Sequence, residues 1–371
     1  MSLISVAAAA AEPSALPPPM AIELEAIRER FELPALAVAR VGPDGIDAIS
    51  TVGVRRLGDD PPVPATDEDL WHLGSCGKAM TATLIARLVE AGTLRFEQTL
   101  AESFPALADR MPGSIARITL QHLLTHRAGL PANFDLDRYA SPADLKHPSH
   151  ARAKVLRETL TVKLLDAPGE SIVYSNWGYV LAGHVAESVT DQTFESLMHE
   201  HVFAPLEMTT AGFGGTGTLG QVDQPWPHED DGRPFEHNGP DADNLPVMAP
   251  AGTMHMSLRD WAAFIAEHLQ GRAGHSDFLT RATFERLHTP PDLNADPDAE
   301  DAFGWLAVRR AWAGDAPALT HAGDNTLNYA LVWMAPAESF AILITTNRSD
   351  AHAACDAVAG VLIRDHIRED R

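Results

Sequence analysis

The stretch Leu73-Gly74-Ser75-Cys76-Gly77-Lys78 runs without a break into Ala79-Met80-Thr81-Ala82-Thr83-Leu84-Ile85-Ala86-Arg87-Leu88-Val89-Glu90-Ala91-Gly92. Leu84, Ile85, Leu88 and Val89 recur at the spacing of one buried helix face, and Gly92 supplies a stop. A helix is therefore expected to begin at or near Ser75. Ser75 and Lys78 lie one turn apart on one face of its N-terminal end. A serine hydroxyl is a weak nucleophile until a base takes its proton, and a lysine held in a dry site can have a pKa low enough to serve. The backbone N–H groups at a helix start suit an oxyanion forming beside the serine. Alone, however, Ser-x-x-Lys also describes an ordinary helix with a capping serine and a solvated lysine. The rest of the chain has to decide.

With 371 residues, 45% of them hydrophobic, the chain can bury a large core in one large domain or two interleaved ones. Acidic residues outnumber Lys plus Arg by 51 to 28, a formal charge of -23, which argues against nucleic acid and anionic membranes as partners. Much of the excess lies in Asp223 to Asp243 and Asp292 to Asp301, where Pro and Gly cluster as in solvated loops. A cation site at His228-Glu229-Asp230-Asp231 is the weaker alternative. Two cysteines, Cys76 and Cys355, make no disulfide framework or zinc array, so neither metal nor cofactor is expected. No apolar run is long enough to span a bilayer.

Residues 1–19 read as a disordered arm or the remnant of an export signal. The run Ala7 to Ala11 offers small residues for cleavage, but the first basic residue is Arg28. The compartment, exported or cytoplasmic, stays open. Ala21 to Phe31 reads as a helix, followed by strands Leu36 to Val41 and Ile46 to Val54 about the Gly42-Pro43-Asp44-Gly45 turn. A short strand over 70–73 delivers the chain to Ser75. Helices are expected over 75–91, 119–126, 151–165, 178–189 and 194–202, whereas Leu206 to Met248 has no usable periodicity. After a helix opening at Ser257, strands are expected over 304–311, 318–321, 329–334 and 340–346, with a closing helix over 352–367. Strands at both ends imply a shared sheet: an α/β domain of 20–74 plus 250–371, with 75–249 a mainly helical insertion.

Two further stretches complete a constellation. In Pro168-Gly169-Glu170-Ser171-Ile172-Val173-Tyr174-Ser175-Asn176-Trp177-Gly178-Tyr179, Tyr174 and Asn176 are two apart and point the same way if the loop is extended. A tyrosine hydroxyl near Lys78 can relay protons, and an Asn176 amide can hold a substrate carbonyl. In Thr320-His321-Ala322-Gly323-Asp324, Gly323 permits close approach to the backbone and His321 can lend a proton or partial positive charge. The Asp324 N–H can pair with that of Ser75 as an oxyanion hole. Each stretch alone also fits a structural role.

Together and in this order, the three motifs resemble the serine β-lactamase and penicillin-binding-protein superfamily. The branch resembled contains class C β-lactamases, D-alanyl-D-alanine carboxypeptidases and β-lactamase-like esterases. The stretch Ile118-Thr119-Leu120-Gln121-His122-Leu123-Leu124-Thr125-His126-Arg127-Ala128-Gly129-Leu130-Pro131 supports it, and the resemblance runs from about Ala21 to the C-terminus. It implies an antiparallel sheet of five or more strands flanked by helices, an all-helical second region, and a site between them. Ser75 would be the acylated nucleophile, Lys78 its base, Tyr174 the proton carrier, Asn176 a substrate ligand, and His321 to Gly323 the third motif. The N–H groups of Ser75 and Asp324 would hold the oxyanion of a small acyl substrate.

The third motif departs from the family's frequent Lys-Thr-Gly or His-Thr-Gly, because this chain has His-Ala-Gly. Losing the hydroxyl weakens recognition of a free carboxylate and favours esters, amides or D-amino-acid peptides over β-lactams. Asn347-Arg348 is a reserve carboxylate ligand. A class C-like β-lactamase and a sensor that stays acylated are the alternatives. An α/β-hydrolase elbow fails because Leu73 stands where glycine is needed. His122 and His126 have metal-pair spacing but lack the accompanying glutamate. Cys76 reads as a packed neighbour whose modification by a bulky reagent would block Ser75.

Overall fold

A computed structural model describes residues 14–291 and 299–369. Its strands are β1 (Ser14–Ala15), β2 (Ala35–Gly42), β3 (Gly45–Gly53), β4 (Leu70–His72), β5 (Gly212–Phe213), β6 (Met254–Ser257), β7 (Ala299–Asp301), β8 (Leu306–Val308), β9 (Ala318–Asp324), β10 (Tyr329–Ala335) and β11 (Phe340–Thr346). Eight form one sheet in the order β1-β3-β2-β11-β10-β9-β8-β7, so both ends of the chain share it as expected. All its pairings are antiparallel except β1 with β3, which run parallel. The main helices are α1 (Pro18–Arg30), α2 (Gly77–Glu90), α3 (Pro148–Thr159), α4 (Asn176–Thr190), α5 (Leu258–Ala273) and α6 (His352–Glu369).

The near-continuous apolar run of β2 follows from its central place in the sheet. Successive side chains of a strand point to opposite faces, so both sets must be apolar when both faces are covered. Ala35, Ala37, Ala39 and Val41 join the core under α5, where Trp261, Phe264 and Ile265 are buried. Leu36 and Val38 face the other way, onto Leu24 of α1 and Val358 and Leu362 of α6.

Several expectations change. Residues 14–19 of the expected arm carry β1 and the start of α1, while residues 1–13 lie outside the described residues. The strand before Ser75 belongs to a separate three-stranded sheet, β4-β6-β5, to which the irregular 206–248 segment contributes the edge strand β5. The helix expected over 119–126 closes at Leu124, and His126 is left-handed at φ 57°. His122 and His126 therefore share no helix face, and the His122 Nδ1 accepts from the Thr119 N–H at 3.2 Å. His228 is fully buried, accepts from the Leu57 N–H and donates to the Asn347 carbonyl, which makes it a structural cross-link.

Cys76 and Cys355 are both buried, and burial pushes both thiols far above the ordinary range. Cys76 Sγ donates to the His321 carbonyl at 3.3 Å. The expected sensitivity of Ser75 to a thiol reagent is therefore withdrawn, because a buried protonated thiol is inert. Ellman's reagent should titrate no thiol in the native protein and two after denaturation. Fast native labelling of one thiol would contradict this packing.

Candidate active site

Ser75 occupies a single 3-10 turn, Gly74–Cys76, that leads directly into α2. The turn is pressed against the end of β9. A side-chain carbon added at Gly323 would stand 2.0 Å from the Leu73 carbonyl oxygen and 2.8 Å from the Ser75 nitrogen. One added at Gly74, whose φ is +50°, would stand 2.8 Å from the Asp324 nitrogen. Only glycine lets the two backbones approach this closely. The amides of Ser75 and Asp324 are thereby brought to the same corner. β8 pairs with β9 only from Ala318 to Thr320, so the remainder of that edge of β9 faces the site without a strand beside it.

Lys78 is fully buried in the first turn of α2. Its Nζ lies 2.9 Å from Ser75 Oγ and donates to the Ala251 carbonyl at 2.5 Å. The rings of Tyr174 and Tyr179 stand 5.0 and 5.4 Å away. Burial among these groups lowers its pKa from 10.5 to about 7, with the Cys76 thiol opposing the fall. The Tyr174 hydroxyl donates to Ser75 Oγ at 2.8 Å. Tyr174 is 41% exposed as a residue, but its hydroxyl end faces the crowded corner, where desolvation drives its pKa well above 10. At neutral pH it is a phenol.

The third motif behaves differently from the expectation. His321 Nδ1 donates to the Gly304 carbonyl at 2.8 Å, and burial, aided by Lys78, lowers its pKa to about 3. His321 is thus neutral, and the partial positive charge anticipated for it is not supplied. Asn347 is fully buried, with Nδ2 donating to the carbonyls of Arg55 and Trp226. Arg348 donates to the carbonyls of Asp230 and Phe31. That reserve pair is committed to holding loops together.

Asn176 opens α4 and donates to Asn133 Oδ1 at 2.8 Å. It lines a cavity of about 480 Å³ with Ser75, Asn133, Asp135, Asp324 and Asn325, and among the described residues no lysine or arginine lines that cavity. A neighbouring groove of about 580 Å³ runs from Tyr174 and His321 over Leu306, Val308, Leu331 and Trp333. One cavity is polar and acidic, and the other combines an apolar wall with the charged side chains of Asp301, Arg310 and Asp356.

Sequence reasoning missed the support of Tyr174. The His126 carbonyl accepts from the Val173 N–H at 2.8 Å, and its Nδ1 accepts from the Ser175 N–H at 3.0 Å. Its ring centroid lies 4.4 Å from that of Tyr174. One histidine therefore grips the chain on both sides of the tyrosine. The adjacent Arg127 makes a buried ion pair with Glu300 on β7, which ties this loop to the sheet. The stretch Thr125-His126-Arg127 stands in the sequence before the tyrosine loop, but the left-handed φ of His126 and its partners exist only in the fold. Among the described residues no group of three His, Cys, Asp or Glu is placed to hold a metal ion, and no helix is long and apolar enough to cross a membrane.

The chain has relatives in sequence and in fold. Penicillin-binding protein 4 of Amycolatopsis lactamdurans is 29% identical over 183 residues, 49% of this chain and 45% of that protein. Protein flp of Staphylococcus aureus (strain MW2) is 23% identical over 299 residues, 78% and 55% of the two chains. Lovastatin esterase of Penicillium rubens is 29% identical over 251 residues, 63% and 58%. The matched regions thus span about half the length of these relatives. Among solved structures, the D-alanine carboxypeptidase AmpC of Burkholderia cenocepacia superposes with a TM-score of 0.72 at 19% identity, covering 92% of this chain and 98% of that one. The octameric penicillin-binding protein homologue of Pyrococcus abyssi gives 0.71 at 18%, covering 89% and 73%. Both likenesses confirm the expected fold. The Beta-lactamase family profile matches residues 25–363, and the chain belongs to that family.

Proposed function

We propose that the protein is a serine acyl hydrolase that works through an acyl-enzyme on Ser75. The observation that carries this reading is the double contact of Ser75 Oγ, with Lys78 Nζ at 2.9 Å and Tyr174 Oη at 2.8 Å. A pKa of about 7 leaves much of Lys78 as the free amine at neutral pH. The amine takes the Ser75 proton as Oγ attacks the carbonyl. The N–H groups of Ser75 and Asp324 receive the oxyanion. On collapse of the tetrahedral intermediate, Tyr174 gives its proton to the leaving oxygen or nitrogen and is recharged by the Lys78 ammonium. Water then attacks the acyl-enzyme while Lys78 and Tyr174 repeat the transfer, which releases the acid and regenerates Ser75.

The two cavities support a substrate class. The leaving group departs beside the proton donor, so the groove bordered by Tyr174 takes an apolar alcohol or amine. The acyl part occupies the polar cavity, where Asp135 and Asp324 disfavour a carboxylate and no cation offsets them. Esters or amides with a neutral or amine-bearing acyl group fit best, with D-amino-acid peptides as related donors. The neutral His321 beside Ala322 counts against the carboxylate of a β-lactam. A sensor that stays acylated is the other reading, and Tyr174 within reach of Ser75 argues for turnover.

Three outcomes follow for a purified preparation assayed with p-nitrophenyl esters, a chromogenic cephalosporin and a D-Ala-D-Ala peptide. Ser75→Ala and Lys78→Ala should abolish ester hydrolysis, and Tyr174→Phe should lower kcat by about 10²- to 10⁴-fold. Hydrolysis surviving in Ser75→Ala would sink the assignment, and a stable Ser75 adduct without turnover would favour the sensor. Second, kcat/KM should rise through about pH 7, because Lys78 must be neutral to act. A flat profile between pH 5.5 and 8.5, taken as roughly one and a half units either side of that pKa, would contradict Lys78 as base.

The third outcome is thermodynamic. Folding lowers the pKa of Lys78 from 10.5 to about 7, so the unfolded chain binds the extra proton between those values and stability rises with pH across that window. The penalty is complete below about pH 7. Lys78→Met should therefore raise Tm at pH 6 by at least about 2 °C while destroying activity. A lower Tm would show that the Lys78 hydrogen bonds outweigh its burial.

A further inference from the structure

A buried histidine–aspartate pair, His72 with Asp243, lies next to the nucleophile turn, outside the acyl-transfer machinery. His72 ends β4, two residues before Gly74, and its side chain is 2% exposed. Its Nδ1 accepts the Gly74 N–H at 3.1 Å. Accepting there requires a lone pair on Nδ1, which fixes the ring proton on Nε2. That nitrogen lies 2.8 Å from Asp243 Oδ2, whose carboxylate is fully buried. The other oxygen, Asp243 Oδ1, accepts from Asn325 Nδ2 at 2.9 Å and from the Asn244 N–H at 2.7 Å. Asn325 Oδ1 in turn accepts the N–H groups of Leu327 and Asn328 at 3.2 and 2.8 Å.

One chain of hydrogen bonds therefore runs from the turn that carries Ser75 to the loop that follows Asp324. These are the two backbone segments whose amides would hold the oxyanion. We infer that His72 and Asp243 are positioning residues that set the spacing of the Ser75 and Asp324 N–H groups, Asp243 doing so by fixing the tautomer and orientation of His72. The inference gives the 206–248 segment a task in catalysis, and it rests on the acyl-enzyme reading above. A misplaced oxyanion donor slows the chemical step more than it weakens ground-state binding.

The test is steady-state hydrolysis of a p-nitrophenyl ester by wild type and His72 variants, with Ser75→Ala as the blank. Wild-type activity above that blank establishes the underlying reading independently. Deleting an oxyanion donor costs about 10²- to 10³-fold, so a displaced one is expected to cost at least about 10-fold in kcat. His72→Phe should show that loss with KM changed by less than about twofold. His72→Asn puts an amide oxygen where Nδ1 stood and should recover most of the rate. His72→Gln reaches Asp243 but cannot accept from Gly74, and should stay slow. If His72→Phe does not fold, the Asn and Gln variants still decide. A folded His72→Phe with wild-type kcat, or Asn and Gln variants of equal rate, would overturn the proposal.

Discussion

The constraint on which the site depends is the burial of the Lys78 amine against Ser75. A fall from 10.5 to about 7 corresponds to a cost on the order of 5 kcal/mol for the charged form. The surrounding fold has to exclude water from that corner and still hold Nζ within reach of the hydroxyl. α2 does this by being buried along most of its length, with Met80, Leu84, Ile85 and Leu88 in the core and the 249–252 turn docked on it through Ala251 and Pro250. The rings of Tyr174 and Tyr179 close the remaining side without contributing a charge. A carboxylate there would have raised the lysine pKa instead.

The second requirement is geometric. β9 and the nucleophile turn are more than 200 residues apart in the sequence, and the pairing of β2 with β11 joins the two ends of the chain in one sheet. Gly323 and Gly74 then remove the side chains that would hold the two backbones apart. Sheet and helical region are further joined by Arg127 with Glu300, and by the His72, Asp243 and Asn325 chain. The corner thus draws on segments far apart in the chain: Ser75 and Lys78, Tyr174, and the end of β9.

Much of this was legible in the sequence because the signals are local. Ser75 and Lys78 are one helical turn apart, Tyr174 and Asn176 are two residues apart, and Gly323 follows closely on the strand expected over 318–321. The expected element over 340–346 is reproduced residue for residue, since an apolar run bounded by a turn has one sensible reading. What stayed hidden depends on partners distant in the chain. Asp243 meets His72 across 171 residues, within a segment that carries no periodicity. His126 has the spacing of half a metal pair in the sequence, but the helix stops at Leu124 and removes the shared face. Arg348 looked like a free carboxylate ligand until its carbonyl partners were seen. Hydrogen bonding of this kind leaves no pattern in composition or spacing.

The central claim is that Lys78 is a buried amine with a depressed pKa, and its own titration tests that most directly. The chain has four lysines, so a protein labelled at the lysine side-chain carbon next to Nζ gives a simple NMR spectrum in which each can be followed with pH. One signal, absent from Lys78→Met, should titrate with a midpoint near 7. Should all four titrate together near the ordinary lysine value of about 10.4, Lys78 is a charged helix residue and the account of the site fails.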